Sequence, residues 1–263
     1  MLIDSHAHIY PEKIAGKAVS SVGAFYDIGM RRGGTAEDLL KTGQRAGVTH
    51  YVVHSVATSA KQVPSINQFI SESVRAYPNA FIGLGTMHPD VDSFEAECAR
   101  IEALGLRGIK LHPDFQKFNI DDSRIMPLYE IAEGRLPILF HTGDYRYDFS
   151  HPRRLRNVLR AFPKLRVVGA HFGGWSIFEE GVKYLADTTA MVDSSSASFW
   201  LKEPNKMEAL IRAYGPDRVM FGSDYPMWDA ADELAFLERV NLTAEERERI
   251  YWKNAAEFYH ITD

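Results

Sequence analysis

The chain has 263 residues, with 30 Lys and Arg against 35 Asp and Glu for a formal net charge of −5, and 45% of its residues are hydrophobic. That balance supports a sizeable core, excludes disordered and fibrous classes, and gives no cationic excess with which to bind nucleic acid or an anionic membrane. Cys98 is the only cysteine, which excludes an internal disulfide and a thiolate zinc cluster and fits a reducing, cytoplasmic setting with a small-molecule substrate as partner.

The opening segment, Met1 to His8, turns polar at Asp4, unlike a secretory signal. No apolar stretch approaches the roughly 20 residues of a membrane span. In chain order, short runs rich in β-branched and other apolar residues fall at 1–9, 49–57, 80–87, 106–111, 137–141, 166–171, 190–194 and 218–223. Each is followed by a stretch of helical periodicity, so the pattern is a β/α alternation. Most runs are apolar on both faces, as parallel strands covered by helices are. Eight such units predict one α/β domain over 1–263, a (β/α)8 TIM barrel, for which about 250 residues is the usual length. Between the first two runs, residues 10–34 contain a Gly33-Gly34 pair and no clear periodicity, and are expected to form a loop over the strand ends, with a helix beginning near Thr35. A Ser93 N-cap and Gly105 bracket another helix. Thr243 and Glu246 read as a capping box for the last one, which leads into Asn254.

Ionisable residues crowd the carboxyl ends of these runs: His6, His8, His54, His88, Lys110, His112, His141, His171, Asp193 and Asp224. In a barrel of this kind that rim faces one central volume. His6 and His8 are two apart on a strand and so project from one face. With a third histidine, His141, after the fifth run and a carboxylate, Asp224, after the eighth, they form a donor set suited to a borderline divalent ion such as zinc with a coordination position left for water.

The segments Asp4-Ser5-His6-Ala7-His8, Gly108-Ile109-Lys110-Leu111-His112-Pro113, Gly169-Ala170-His171-Phe172-Gly173-Gly174 and Gly222-Ser223-Asp224-Tyr225-Pro226, closed by Asn254-Ala255-Ala256, resemble amidohydrolase family 2 of the metal-dependent amidohydrolase superfamily. The resemblance spans nearly the whole chain. It implies a (β/α)8 barrel with one or two divalent metals, His6, His8, His141 and Asp224 as ligands, and His171 as a catalytic or second-metal residue. One ion is expected rather than two. In some superfamily members a lysine at the fourth strand is carbamylated and bridges two metals; for Lys110 the plainer reading, an ammonium paired with a carboxylate or with substrate, is preferred. His112 shares the inward face and is expected either to orient a neighbour or to touch substrate.

Tyr145, Trp175, Phe199, Trp200 and Trp228 follow strand ends and are candidates for pocket walls or for simple packing. Arg31, Arg32 and Arg146 are candidates for a carboxylate clamp. Asp193 and Ser194 are expected to hold either a ligand histidine or a substrate hydroxyl. There is no Gly-x-Ser-x-Gly elbow around Ser223, no phosphate loop and no dinucleotide fingerprint. The first expectation for the reaction is hydrolysis of a small ester, lactone or amide by metal-activated water, with Asp224 moving the proton and His171 stabilising the oxyanion. The alternative is nonoxidative decarboxylation of a small aromatic or unsaturated carboxylic acid. The sequence leaves the substrate, the metal and the oligomeric state, including a homo-oligomer, open.

Overall fold

The structure, a computed structural model, describes residues 1–262. Its strands are β1 (Ile3–His8), β2 (His50–His54), β3 (Phe81–Gly83), β4 (Gly85–Thr86), β5 (Ile109–Leu111), β6 (Ile138–Phe140), β7 (Val167–Gly169), β8 (Met191–Asp193) and β9 (Val219–Met220). All ladders are parallel, in the orders β1-β2-β3 and β4-β5-β6-β7-β8-β9. The third predicted run is thus split at Leu84 into β3 and β4. It stays bonded to both neighbours through the break: Leu84 N donates to Val53 O at 2.9 Å, and Gly85 N to Gly108 O at 2.9 Å. The ring is completed between first and last strands, where Ser5 N donates to Phe221 O (2.9 Å), His8 N to Tyr225 O (2.7 Å) and Asp224 N to His6 O (2.9 Å). The result is the barrel expected from the alternation.

The strands are apolar on both faces because both are covered. One face packs outward: Val53, Ile109, Ile138, Val167 and Val219 belong to the large cluster shared with the helices. The other fills the barrel: Ile3, Val52, Ile82, Leu139, Val168 and Met220 form an interior layer with Ala255 and Tyr259 of the C-terminal helix Asn254–Tyr259. Side chains two apart on a strand share a face. His54 therefore follows Val52, and His141 follows Leu139, onto the inward side above that layer.

One expectation is corrected. Residues 10–34 are not a plain loop, because they contain α1 (Glu12–Tyr26), which precedes α2 (Ala36–Arg45). Gly16, Gly23 and paired serines lower its intrinsic propensity, and Pro11 at its start makes no side-chain cap. Tertiary contact overrides this. Tyr26, at its C-terminal end, packs with Trp175 and Met227, and the partly buried Val22 and Phe25 lie against them. The three helix starts read from the sequence fall at their caps. Thr35 Oγ1 accepts from Asp38 N and Ser93 Oγ from Ala96 N, at 3.2 Å each. Thr243 and Glu246 make the reciprocal capping box. Among the described residues, no helix is long and apolar enough to cross a membrane.

Candidate active site

His6 is the hub of the rim. Its Nδ1 faces Asp193 Oδ2 at 2.9 Å, while its Nε2 lies 3.1 Å from Lys110 Nζ and 3.5 Å from Asp224 Oδ1. The same Asp224 oxygen is 3.6 Å from His8 Nε2. Rings of His6 and His8 are 5.4 Å apart, and His54 sits 4.9 Å from the first and 4.4 Å from the second. His141 and His171 form the other half, with Nδ1 of the former 3.1 Å from Nε2 of the latter. The two halves meet where the His6 and His171 rings approach to 5.0 Å.

The hydrogen bonds decide which nitrogens offer lone pairs. The Ser195 carbonyl, 3.1 Å from His171 Nδ1, can only accept, so that nitrogen carries the proton and Nε2 is bare. Asp193 likewise takes the proton of His6 Nδ1 and turns its Nε2 inward. On His141, Nδ1 donates to the bare His171 Nε2 at 3.1 Å, while Nε2 faces Asp114 Oδ2 at 3.5 Å, within ion-pair reach but without hydrogen-bond geometry, and is left bare. Both ring nitrogens of His54, buried beside His6 and His8, have no hydrogen-bond partner among the described residues. Buried imidazole nitrogens without a partner, those of His54 and Nε2 of His141, are costly in a protein interior and are the donor chemistry of a divalent metal site. Two groups close enough to share an ion are His6, His8 and His54, and His6, His171 and Asp193; a third is His112, Asp114 and His141.

Burial, with Lys110 nearby, holds His6, His8, His54, His112 and His141 well below the usual histidine range, and His171 is pushed down to about 4. All are therefore neutral near pH 7 and available as ligands. Burial pushes the Asp224 carboxyl up, opposed by the Ser196 hydroxyl, which donates to its Oδ2 at 2.5 Å, and by Lys110. Burial lowers Lys110 against the pull of Asp224 and Asp193. Lys110 thus feels those carboxylates through space, and its direct contact is an imidazole, whereas the sequence suggested a carboxylate or substrate.

Two of these residues sit on unusual backbone. His171 has φ 60° and Asp224 φ 64°, a left-handed conformation that costs a non-glycine residue about 1–2 kcal/mol. Neighbours impose it: His171 N donates to Asp193 Oδ1 at 3.0 Å, and Asp224 N to His6 O. Such strain collects at functional positions. Asp4 fastens the first strand to the last, accepting from His6 N (3.1 Å) and Ser223 N (2.9 Å).

The remaining candidates divide. His112 stacks on His141 with ring centres 4.0 Å apart and receives Tyr26 OH at 2.8 Å. Trp175 is buried 4.7 Å from the Tyr26 ring, and Trp228 donates to Ser196 Oγ at 2.9 Å, bracing the residue that holds Asp224. Tyr145 is exposed, 6.5 Å from Trp200. Arg146 is committed to Asp144 at 2.6 Å and Arg32 to Asp229. Asp193 holds His6, which answers the choice left open for it, and Ser194 Oγ accepts from Gly222 N at 3.3 Å. Sequence reasoning missed Asp114 and Tyr26. The first lies two residues beyond His112 on a short helical turn, Pro113–Gln116, and the second on the unforeseen α1.

A cavity of about 20 Å³ among His8, Tyr26, His112, His141 and Asp224 marks the centre of the site.

Residues 3–261 match the amidohydrolase family. A curated relative, 2-amino-3-carboxymuconate-6-semialdehyde decarboxylase of Dictyostelium discoideum, is 25% identical over 198 residues, which are 61% of this chain and 55% of that protein. The match therefore spans little more than half of that relative's length. Among solved structures, 5-carboxyvanillate decarboxylase from Sphingomonas paucimobilis superposes with a TM-score of 0.78 at 17% identity, covering 99% of each chain. A dihydroxybenzoic acid decarboxylase from Polaromonas sp. JS666, solved with bound manganese and 2-nitroresorcinol, gives 0.77 at 15% identity over 98% of this chain and 96% of that one. At such identities the superpositions speak for the barrel, while the family match over almost the full chain speaks for descent: this protein belongs to the amidohydrolase family.

Proposed function

We propose that this chain is a metal-dependent nonoxidative decarboxylase of an aromatic or unsaturated carboxylic acid. The observation that carries the reading is the convergence of His6 Nε2 and His8 Nε2 on one oxygen of Asp224, at 3.5 and 3.6 Å, a carboxyl whose proton affinity burial raises. The decarboxylases among its relatives support the same reading. Hydrolysis, the first expectation from the sequence, uses the same residues and takes second place.

His6, His8, His141 and Asp224 would hold one divalent ion, zinc or manganese. When bound, that ion supplies positive charge that steadies the electron density left behind as carbon dioxide departs. The protein's part is to bind, orient and move the proton. Breaking the bond to the carboxylate leaves its electron pair on carbon, and one proton must be added there. Asp224 would deliver it, a role supported by burial, which raises its proton affinity toward the neutral range, and by the Ser196 hydroxyl, which fixes its orientation. His171, anchored at Nδ1, presents Nε2 as the second group able to handle that proton or the substrate's oxygen. Lys110 lends its charge to an anionic substrate.

The test is to load the purified protein with zinc or manganese and follow carbon dioxide release from a panel of hydroxybenzoic and dienoic acids, with esters and lactones alongside. Metal-dependent carbon dioxide release is the expected result. Ring opening or alcohol release without carbon dioxide would replace this reading with hydrolysis. A folded protein that takes up no metal would end both.

A further inference from the structure

The central cavity of about 20 Å³ has room for about one water molecule, so no ring or diene can be contained there. Beside it runs a groove of about 600 Å³, which is in the range of small-molecule sites. The two adjoin, since His8, Tyr10, Val22 and Phe115 line both. One wall is α1, whose Ile14, Ala18, Val22 and Phe25 recur at helical spacing on a single face; the other is α3 (Val63–Ala76), which presents Ile66 and Phe69. Ile14 is 51% exposed, and an apolar stripe left open to solvent needs an occupant. No carboxylate lines the groove among the described residues, and Lys17 is its one lysine.

The geometry points to this groove as the specificity pocket of the enzyme, taking the apolar body of the substrate while the carboxylate end reaches His8 and Asp224. The inference rests on the decarboxylase reading for the identity of the reacting end. It narrows the substrate class to amphipathic acids longer than a single benzoate ring, with the reacting carboxylate at one end and the apolar body lying between α1 and α3. It also gives α1 a purpose that a loop would not serve, because a helix holds four apolar side chains in one row along the groove.

The experiment measures binding by titration calorimetry to the metal-loaded protein, with benzoate and biphenyl-4-carboxylate as probes. Biphenyl-4-carboxylate is expected to bind at least ten-fold tighter than benzoate. Ala18→Trp, which narrows the groove, should abolish that ten-fold advantage and leave metal content unchanged. Ile14→Trp, at an exposed position that tolerates a large side chain, repeats the test should Ala18→Trp fail to fold. Equal affinity for the two probes, or an advantage that survives both substitutions, overturns the proposal. So does a change of sedimentation coefficient in the variants, which would make the groove a contact between two copies. If the length advantage is present but no acid releases carbon dioxide, the groove stands and the decarboxylase reading alone falls. If carbon dioxide is released and both variants bind both probes like the parent, the groove alone falls.

Discussion

Asp114 places its Oδ2 3.5 Å from His141 Nε2 while its Oδ1 has no hydrogen-bond partner among the described residues. Ser150 Oγ donates to the same Oδ2 at 2.6 Å, so the carboxyl is aimed rather than free. At that distance Asp114 and His141, with His112, offer donor atoms close enough to share an ion. Asp114→Asn is expected to keep the fold and weaken metal affinity by about 10- to 100-fold. Competition with a chelator of known affinity measures it. Unchanged affinity would reduce Asp114 to a packing role.

Asp224 and the first-strand histidines should separate in their effects. Asp224→Asn keeps the shape and the Ser196 contact but removes the acid, so turnover should fall about 100-fold or more. Metal content should fall less than in His6→Ala or His8→Ala, each of which deletes a nitrogen that the cluster aims inward. Steady-state kinetics with elemental analysis of the same preparations decides the matter. An Asp224→Asn enzyme with near-normal turnover would remove it from the proton path.

The stability that Glu233 contributes should decline as pH rises, which supplies a test outside the metal cluster. Its carboxyl is buried, receives Ser198 Oγ, and is pushed up to about 8 chiefly by burial. Between the ordinary glutamate range and that value the folded state binds the extra proton, so the slope is negative, at about 1.4 kcal/mol per pH unit. Glu233→Gln, neutral at every pH, should flatten the fall in urea midpoint between pH 5.5 and 8. An identical pH profile in the variant would contradict this.

Gly143 holds the two histidine loops together. It has φ +82°, and a Cβ there would lie 2.2 Å from Gly174 Cα, a backbone atom that cannot step aside. Gly143→Ala is expected to lose at least about 2 kcal/mol of stability. It should also lower activity, because Gly143 follows His141 by two residues and Gly174 follows His171 by three. Urea denaturation and turnover check the two parts separately.

The alternation of apolar runs, the caps at Thr35, Ser93 and Thr243, and the family motifs were all readable along the chain, because periodicity and capping act over a few residues. They were enough for the barrel and for the rim on which the ionisable residues gather. Helix α1 escaped that reading, since glycines and serines dilute a stripe that is clear only once its packing is known.

What the tertiary structure alone decided is direction. His6 meets Asp193 from 187 positions away, His141 meets His171 across adjacent strands, and the groove exists only where α1 and α3 face one another. A sequence states which groups are present. Which nitrogen is bare, which carboxyl has its proton affinity raised and which cavity adjoins the site depend on burial and on neighbours brought together by chain closure, and these are properties of the folded barrel.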